Sequence, residues 1–412
     1  MKFIQYNISD SIKKSLAEQG FVKPTDIQYR AIPSILKGED VMAIAQTGTG
    51  KTGAFAIPLV HKLLVSHEIL ERGQVRCLVM VPTRELAVQI TGVFEKLATY
   101  TPLRIVSTFG GVDQKPQTDQ LLRGADVLIS TPGRMFDLRS QGFLDLSMVE
   151  VLVLDEADLM LAMGFIRDIR DVLRHIPRRH QTLFFSATIN EEIKDLAYSI
   201  VRNPIRIQIS PKDRVSKNVD HQVAFIEMDD KRYFLERMIK QNPDQRFLVF
   251  VRTKVRAERV FAAMKRVGID SLTMHGDKAQ EDRLDVMEKF RSSQVRVLIA
   301  TDVSARGIDI PGVQYVVNYD LPDEAENYVH RVGRTGRGME KGIAVSFCSP
   351  EEKKTLDEIQ TFLGKPVQEL TIDKELYEMT LAMTEEPNTN WRKLIADAEA
   401  EMSKKRKKKG KK

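Results

Sequence analysis

The feature that most restricts the fold is a repeated series of short, nearly unbroken apolar runs with helical stretches between them. The first series is 41-VMAIAQ, 76-RCLVMVP, 126-DVLIST, 151-VLVLDEAD and 182-TLFFSAT. The second is 221-HQVAFIEM, 246-RFLVFV, 295-VRVLIAT, 313-VQYVVNYD and 342-GIAVSFC. A strand with one wet face alternates apolar and polar residues, whereas a strand covered on both faces does not. These runs do not alternate, and the stretches between them supply the helical crossovers that parallel strands need. The expectation is two consecutive α/β domains, each a doubly wound parallel sheet. Between the series, 210-SPKDRVSKN-218 is polar, lacks periodicity and reads as a linker. The expected division is residues 1–209, the linker 210–218, residues 219–366, and a charged helical segment with a basic tail over 367–412. At the front end, Ser9 or Asp10 is placed to cap a helix bearing Ile12, Leu16 and Ala17 on one side, which Gly20 ends.

Charge is unevenly placed. The net charge is +6, but the terminal run 404-KKRKKKGKK-412 carries +8, leaving −2 on residues 1–403. The body is therefore not a broadly basic binder, and any contact with a phosphate polymer must come from local groups, with the tail as a tether. The two cysteines, Cys77 and Cys348, lie in apolar runs with no His or Cys cluster beside them, so buried structural thiols are expected rather than a zinc site or a disulfide. No apolar run has the length of a membrane span, and the N-terminus lacks the apolar core of a signal peptide, so a soluble cytoplasmic protein is expected.

Phosphate chemistry is written at 45-AQTGTGKT-52, which follows an apolar run and leads into the helical GAFAIPLVHKLL. Glycines let backbone N–H groups close around phosphates, a lysine reaches the outer phosphates, and a threonine hydroxyl suits Mg²⁺. The candidates are Ala45, Gln46, Thr47, Gly48, Thr49, Gly50, Lys51 and Thr52, with Ala45 standing where the general pattern has Gly. A second run, 151-VLVLDEADLM, ends in Asp155, Glu156 and Asp158. Such carboxylates could be an ordinary acidic helix start. Beside a phosphate loop, the first acid holds the metal and its neighbour positions the attacking water. A third stretch, 328-YVHRVGRTGRG-338, carries His330, Arg331, Arg334 and Arg337 and no acid of its own, and its neighbourhood is not acidic enough to need them. Arginines supplied to a γ-phosphate during phosphoryl transfer accelerate it by roughly 10³ to 10⁵. Arg334 and Arg337 lie in the second half and can serve the first only across a cleft. A basic turn against solvent or RNA backbone is the plainer reading, and it suits Arg331 best.

At this point the residues match a known family. Eleven motifs stand in order: 20-GFVKPTDIQ-28, AQTGTGKT, 82-PTREL-86, Gly110–Gly111, 131-TPGR-134, the DEAD at 155–158, 186-SAT-188, 247-FLVFVRTK-254, 280-QEDR-283, 301-TDVSARGID-309 and 330-HRVGRTGR-337. The chain resembles the DEAD-box ATP-dependent RNA helicases from Phe3 to about residue 350, and is most similar to compact bacterial members of the RhlE type. The resemblance implies two tandem RecA-like domains and ATP with Mg²⁺ as cofactors. It implies Thr25 and Gln28 as adenine readers with Phe3 stacked on the base, and Lys51 and Thr52 on phosphate and Mg²⁺. Asp155 would hold the metal shell, Glu156 would activate water, and Ser186 and Thr188 would couple hydrolysis to strand separation. Asp309 would meet the ribose and Gly307 would be among the nucleotide-binding residues, His330 would link the acidic motif to the closed cleft, and Arg334 and Arg337 would be arginine fingers. RNA-backbone contacts would come from Thr83, Arg84, Gly111, Thr131 and Arg134 in the first domain, and from Thr253, Gly276, Arg283 and Thr301 in the second.

The implied activity is RNA-stimulated ATP hydrolysis that separates short duplexes locally, on single-stranded and short duplex RNA read through its backbone. The chain is expected to act as a monomer without a membrane, with partners in ribosome assembly or RNA decay left open. An ATP-gated RNA clamp, a DNA helicase and an RNA chaperone are the rival readings. Taken singly, most of these positions have bland roles: a cap, a turn, staple packing for Phe3, or an exposed Arg84–Glu85 helix start.

Overall fold

Every apolar run of both series becomes a parallel strand, buried except for the partly exposed Val219–Phe225, and each sheet also gains edge strands. The computed structural model describes residues 2–45, 48–66, 68–209, 218–278, 280–302, 312–336 and 341–382. Gln46, Thr47, Gly307, Asp309, Arg337, most of the linker and the basic tail lie outside the described residues. In the first half the strands are β1 (Val41–Ile44), β2 (Val75–Met80), β3 (Ile105–Thr108), β4 (Ala125–Ser130), β5 (Val151–Leu154), β6 (Gln181–Ser186) and β7 (Ile205–Gln208). They pair in parallel in the order β3-β4-β2-β5-β6-β1-β7. The second half holds β8 (Val219–Phe225), β9 (Phe247–Phe250), β10 (Ser271–Met274), β11 (Val297–Ala300), β12 (Tyr315–Asn318), β13 (Gly342–Cys348) and β14 (Gln368–Glu369). These pair in parallel as β10-β11-β9-β12-β13-β8-β14.

Five strands per half were legible and seven are present among the described residues. The additional strands β3, β7, β10 and β14 are edge or near-edge, short and partly exposed, and carry no continuous apolar run. Along β1 the pleat divides the core: Val41 and Ala43 face one helical layer, Met42 and Ile44 the other. Cys77 and Cys348 are buried and unbridged, and burial pushes the Cys77 thiol up to about 12. The front helix runs Asp10–Glu18 and closes through Gly20 at φ 75°, with Phe21 N donating to Leu16 O at 2.9 Å. Ser9 occupies the cap position, but its side chain makes no capping bond there. Packing in the second half continues past the expected boundary at 366: β14 joins the sheet, and the helix Lys374–Ala382 lays Tyr377 on Phe234, ring centroids 4.9 Å apart. Among the described residues no helix is long and apolar enough to cross a membrane.

The strand order decides where chemistry can collect, because in open parallel sheets sites form at the carboxyl ends of the strands. The adjacent strands β5, β6 and β1 deliver the acidic DEAD, the SAT and the phosphate loop to one side. The adjacent strands β3, β4 and β2 deliver Gly110–Gly111, TPGR and PTREL to the other. In the second sheet β10, β11 and β9 stand together, and after them come Gly276, Thr301 and Thr253.

Candidate active site and nucleic-acid groove

The phosphate loop is shaped by two glycines with left-handed backbone, Gly48 at φ 80° and Gly50 at φ 94°. Gly50 also has no room for a side chain: a Cβ there would stand 2.6 Å from Gln28 Nε2 and 2.9 Å from Thr25 Oγ1. Gln28 bridges the two segments, its Oε1 accepting from Thr25 N at 3.0 Å and its Nε2 donating to Gly50 O at 3.1 Å. Ala45 continues β1, with its N–H bonded to Ser186 O at 3.0 Å, and is buried. Lys51 opens the helix Lys51–Val65 and is itself buried, its Nζ 3.0 Å from Glu156 Oε1. Burial alone would lower its pKa, but Glu156, Asp155 and Asp158 outweigh it and hold the ammonium above its ordinary value.

Glu156 has φ 52°, the left-handed region that side chains other than Gly avoid. Such strain persists where surrounding structure imposes it, and here it directs the carboxylate from the end of β5 toward Lys51. Asp155 accepts from Glu156 N at 3.0 Å and is buried. Burial pushes its carboxyl up to about 7 against the opposing pull of Lys51. Asp158 shifts the other way. Burial would raise it, yet His330, Lys51, the Thr188 hydroxyl at 3.1 Å and the Leu159 N–H at 3.1 Å hold it below the carboxylate range; Thr188 N–H also donates to it at 3.1 Å. Ser186 Oγ donates to Thr188 O at 2.8 Å, which fixes that turn. Among these residues His330 alone comes from the second half, its Nε2 3.8 Å from Asp158 Oδ2.

Phe3, Thr25, Gln28, Gly48, Gly50, Lys51, Thr52, Asp155, Glu156 and Arg334 line one cleft of about 760 Å³. Phe3 is a wall of that cleft as well as a core residue, tied by its N–H to Val22 O at 3.1 Å and only 4% exposed. Arg334 Nε donates to His330 O at 3.2 Å, which ties the arginine to the end of the helix that carries His330. The sequence reading missed Arg291, a second cation of the second half on the same cleft, and Phe21 at its outer wall. The ending KFR of its helix offers no signal that would have singled Arg291 out.

Arg331 is not a surface arginine, and the reading of it as a solvent or RNA contact is corrected. It is 1% exposed and bidentate to Asp302, with Nε–Oδ1 at 2.6 Å and Nη2–Oδ2 at 2.7 Å; Nη1 reaches Asn318 Oδ1 and Asp320 O. It fastens the helix Ala325–Val332, which carries His330, to the start of 301-TDVSARGID.

The second set of candidates forms a separate groove of about 530 Å³, where Thr83, Arg84, Thr131, Arg134, Gly276 and Arg283 converge from both halves. Arg84 fills the space beside Gly111, whose φ is 79° and whose Cβ would overlap the guanidinium. Thr83 and Thr253 accept from Leu86 N and Arg256 N, capping their helices. They therefore present helix N-termini, which bind phosphate oxygens. Thr253 and Thr301 follow β9 and β11 and do not line the groove.

Two RecA-type parallel sheets that close one phosphate cleft and one cationic groove define a two-lobed nucleotide-hydrolysing motor. The profile described as DEAD/DEAH box helicase matches residues 25–196, and that described as Helicase conserved C-terminal domain matches residues 230–339. The ATP-dependent RNA helicase RhlB of Shewanella amazonensis is 37% identical over 378 residues, covering 91% of this chain and 86% of that protein. The structure of S. cerevisiae Dbp5 bound to RNA and ADP BeF3 overlays with a TM-score of 0.81 at 28% identity, covering 92% of this chain and 98% of that one. A DEAD box protein from Methanococcus jannaschii is 35% identical over 90% of this chain and 99% of its own, yet overlays at only 0.51. Higher identity with a poorer overlay over the same span is what two similar halves give when their mutual arrangement differs. The chain belongs to the DEAD-box helicase family.

Proposed function

We propose that this chain is an ATP-dependent RNA helicase, acting in the cytoplasm, whose two halves close on ATP and single-stranded RNA together. The observation that carries the reading is that Arg334 of the second half lines the same cleft as Lys51 and Glu156 of the first. In this reading Lys51 holds the outer phosphates, Glu156 takes a proton from the attacking water, and Arg334 meets the charge that develops on the γ-phosphate. Arg337, Gly307 and Asp309 are proposed for the same cleft on sequence alone. Mg²⁺ suits the oxygen donors Asp155 and Thr52, since this ion is bound through one or two carboxylates with waters and phosphates. A carboxyl pushed up by burial gains most from a nearby cation. When bound, Mg²⁺ supplies charge neutralisation to the phosphates.

RNA is proposed to lie in the groove of Arg84, Arg134, Gly276 and Arg283, touched through its backbone, so base sequence has little influence. Loss of the γ-phosphate removes the partner of Arg334, and the cleft reopens.

The test is ATP hydrolysis with no nucleic acid, with single-stranded RNA, and with DNA of the same sequence. Strong stimulation by RNA is expected, with Arg334→Ala reducing the stimulated rate by roughly 10³. Equal rates in all three conditions, indifferent to Arg334, would mean a constitutive ATPase instead.

A further inference from the structure

Two central strands of the second sheet carry polar residues where their apolar runs call for none. Asn318 ends β12 and Ser346 lies within β13; they are register partners and both are buried. A buried amide or hydroxyl is destabilising unless its hydrogen bonds are made. Here they are made, and they lead to the helix Ala325–Val332. Arg331 Nη1 donates to Asn318 Oδ1 at 3.2 Å. A guanidinium can only donate, so this contact turns the Asn318 amide nitrogen the other way. There Nδ2 donates to Ser346 Oγ at 3.0 Å. The Ser346 hydroxyl bonds in turn to that of Tyr328, which lies 3.0 Å from His221 Nδ1 on β8. Burial, helped by the charge of Lys365, holds His221 down at about 4, so its ring is neutral and can accept from Tyr328. Each group between Arg331 and His221 can then accept from one neighbour and donate to the next.

This row of bonds grips the helix at two points of one face. Tyr328 and Arg331 are three residues apart, hence neighbours on that face, and both are buried. Arg331 is pinned further by Asp302 and by Asp320 O. The other face bears the side chains that meet the first half. Asn327 and His330 line a cavity of about 280 Å³ together with Glu156, Asp158 and Thr188. Arg334, which follows the helix, lines the phosphate cleft. One anchor would let the helix roll about its axis. Two on one face fix the roll, and with it the direction in which His330 and Arg334 point. His330 Nε2 stands 3.8 Å from Asp158 Oδ2, so a small roll separates them.

We infer that Asn318 and Ser346, with Tyr328, are positioning residues for hydrolysis: they set the roll of the helix that presents His330 and Arg334 to the first half. The inference rests on the reading of Arg334 above and deepens it. None of the three lines the phosphate cleft, the cavity beside it or the RNA groove, so their effect falls on rate and not on binding.

The experiment measures ATP hydrolysis by the full chain at saturating oligo-uridine and ATP, beside the half-saturating concentration of each. Asn318→Leu keeps the size and removes both bonds. It should lower kcat by about ten- to a hundredfold, since a displacement of about 1 Å at the reacting groups is worth up to 10². Both half-saturating concentrations should stay near wild type, because the linings of the cleft and the groove are untouched. Asn318→Asp, which still accepts from Arg331, should recover most of the rate. Should Asn318→Leu not fold, Tyr328→Phe carries the test: it drops only a hydroxyl, and a smaller fall in kcat with unchanged binding is expected. In an Arg334→Ala background either substitution should cost far less than in wild type, because a group it aims is gone. An unchanged kcat, equal losses in both backgrounds, or weaker binding in place of slower turnover overturns the inference alone. A wild-type rate indifferent to Arg334→Ala overturns the reading of Arg334 and the inference with it.

Discussion

At the scale of single residues, the site is a set of charges that lean on one another. Lys51 holds Glu156 at 3.0 Å while Asp155 is pushed up to about 7 by burial. Glu156→Gln preserves the left-handed turn and can still accept from Lys51, so ATP and RNA should bind together as in wild type. Turnover should fall about 10² to 10⁴-fold, the usual worth of a general base. Paired measurements of RNA-stimulated hydrolysis and of RNA affinity with ATP check this, and normal turnover would sink the assignment. These residues were legible because phosphate chemistry needs a fixed spacing after a strand, which a sequence displays directly. Arg331 was not, because an arginine that fastens a helix reads the same in sequence as one that meets RNA. Only its burial and its bidentate pair with Asp302 separate the two.

At the scale of elements, the second sheet is held to its flanking helices by a buried ion pair that no motif announces. Lys231, 0% exposed, donates to Glu352, to Tyr319 O at 2.9 Å and to Phe347 O at 3.0 Å, and burial lowers its pKa. Glu352 also accepts from Leu321 N and Ser349 N, each at 3.1 Å. Those bonds tie the ends of β12 and β13 to the helix Lys231–Gln241. Glu352→Ala would strand a buried ammonium and should cost about 3–5 kcal/mol. Replacing both partners with apolar residues of similar volume should recover most of it. Urea unfolding followed by probes in each half would show the loss confined to the second, and an unchanged midpoint would contradict it. The central strands were legible because burial on both faces leaves an uninterrupted apolar run. Edge strands such as β3 and β7 were not, since half-exposed strands keep polar residues and resemble loops. The helix Lys374–Ala382 falls in the charged helical segment expected after 366, but its docking was not legible: it docks through Tyr377, whose hydroxyl donates to Asp230 Oδ2 at 2.8 Å, and its other residues are largely solvent-facing.

At the scale of the whole molecule, the chain separates its charges by task. The groove of the body mixes its cations with acids, Glu85 and Asp137 lining it beside Arg84, Arg134, Lys278 and Arg283. The last nine residues carry +8 with no acid among them. In the proposed reading the groove is complete only when Lys278 and Arg283 of the second half join Arg84 and Arg134 of the first, so its contribution should follow the nucleotide. The tail's charge is an unbroken basic run that needs no partner from either half, so its attraction should be the same with or without ATP, and it should act on any phosphate polymer. Deleting residues 404–412 should therefore weaken RNA binding equally in both nucleotide states. It should also flatten the salt dependence, since each neutralised single-strand phosphate contributes a slope of about −0.7 in log affinity against log salt. RNA-stimulated turnover at saturating RNA should be unchanged, because the cleft of Lys51, Glu156 and Arg334 is intact. The measurement is oligo-uridine binding at several salt concentrations for the full and shortened chains, with and without AMP-PNP. An unchanged slope would mean that the tail makes no contact with RNA. A loss seen only with AMP-PNP would mean that it belongs to the closed assembly, so that nonspecific attraction and ATP-gated grip are not separate devices in this protein.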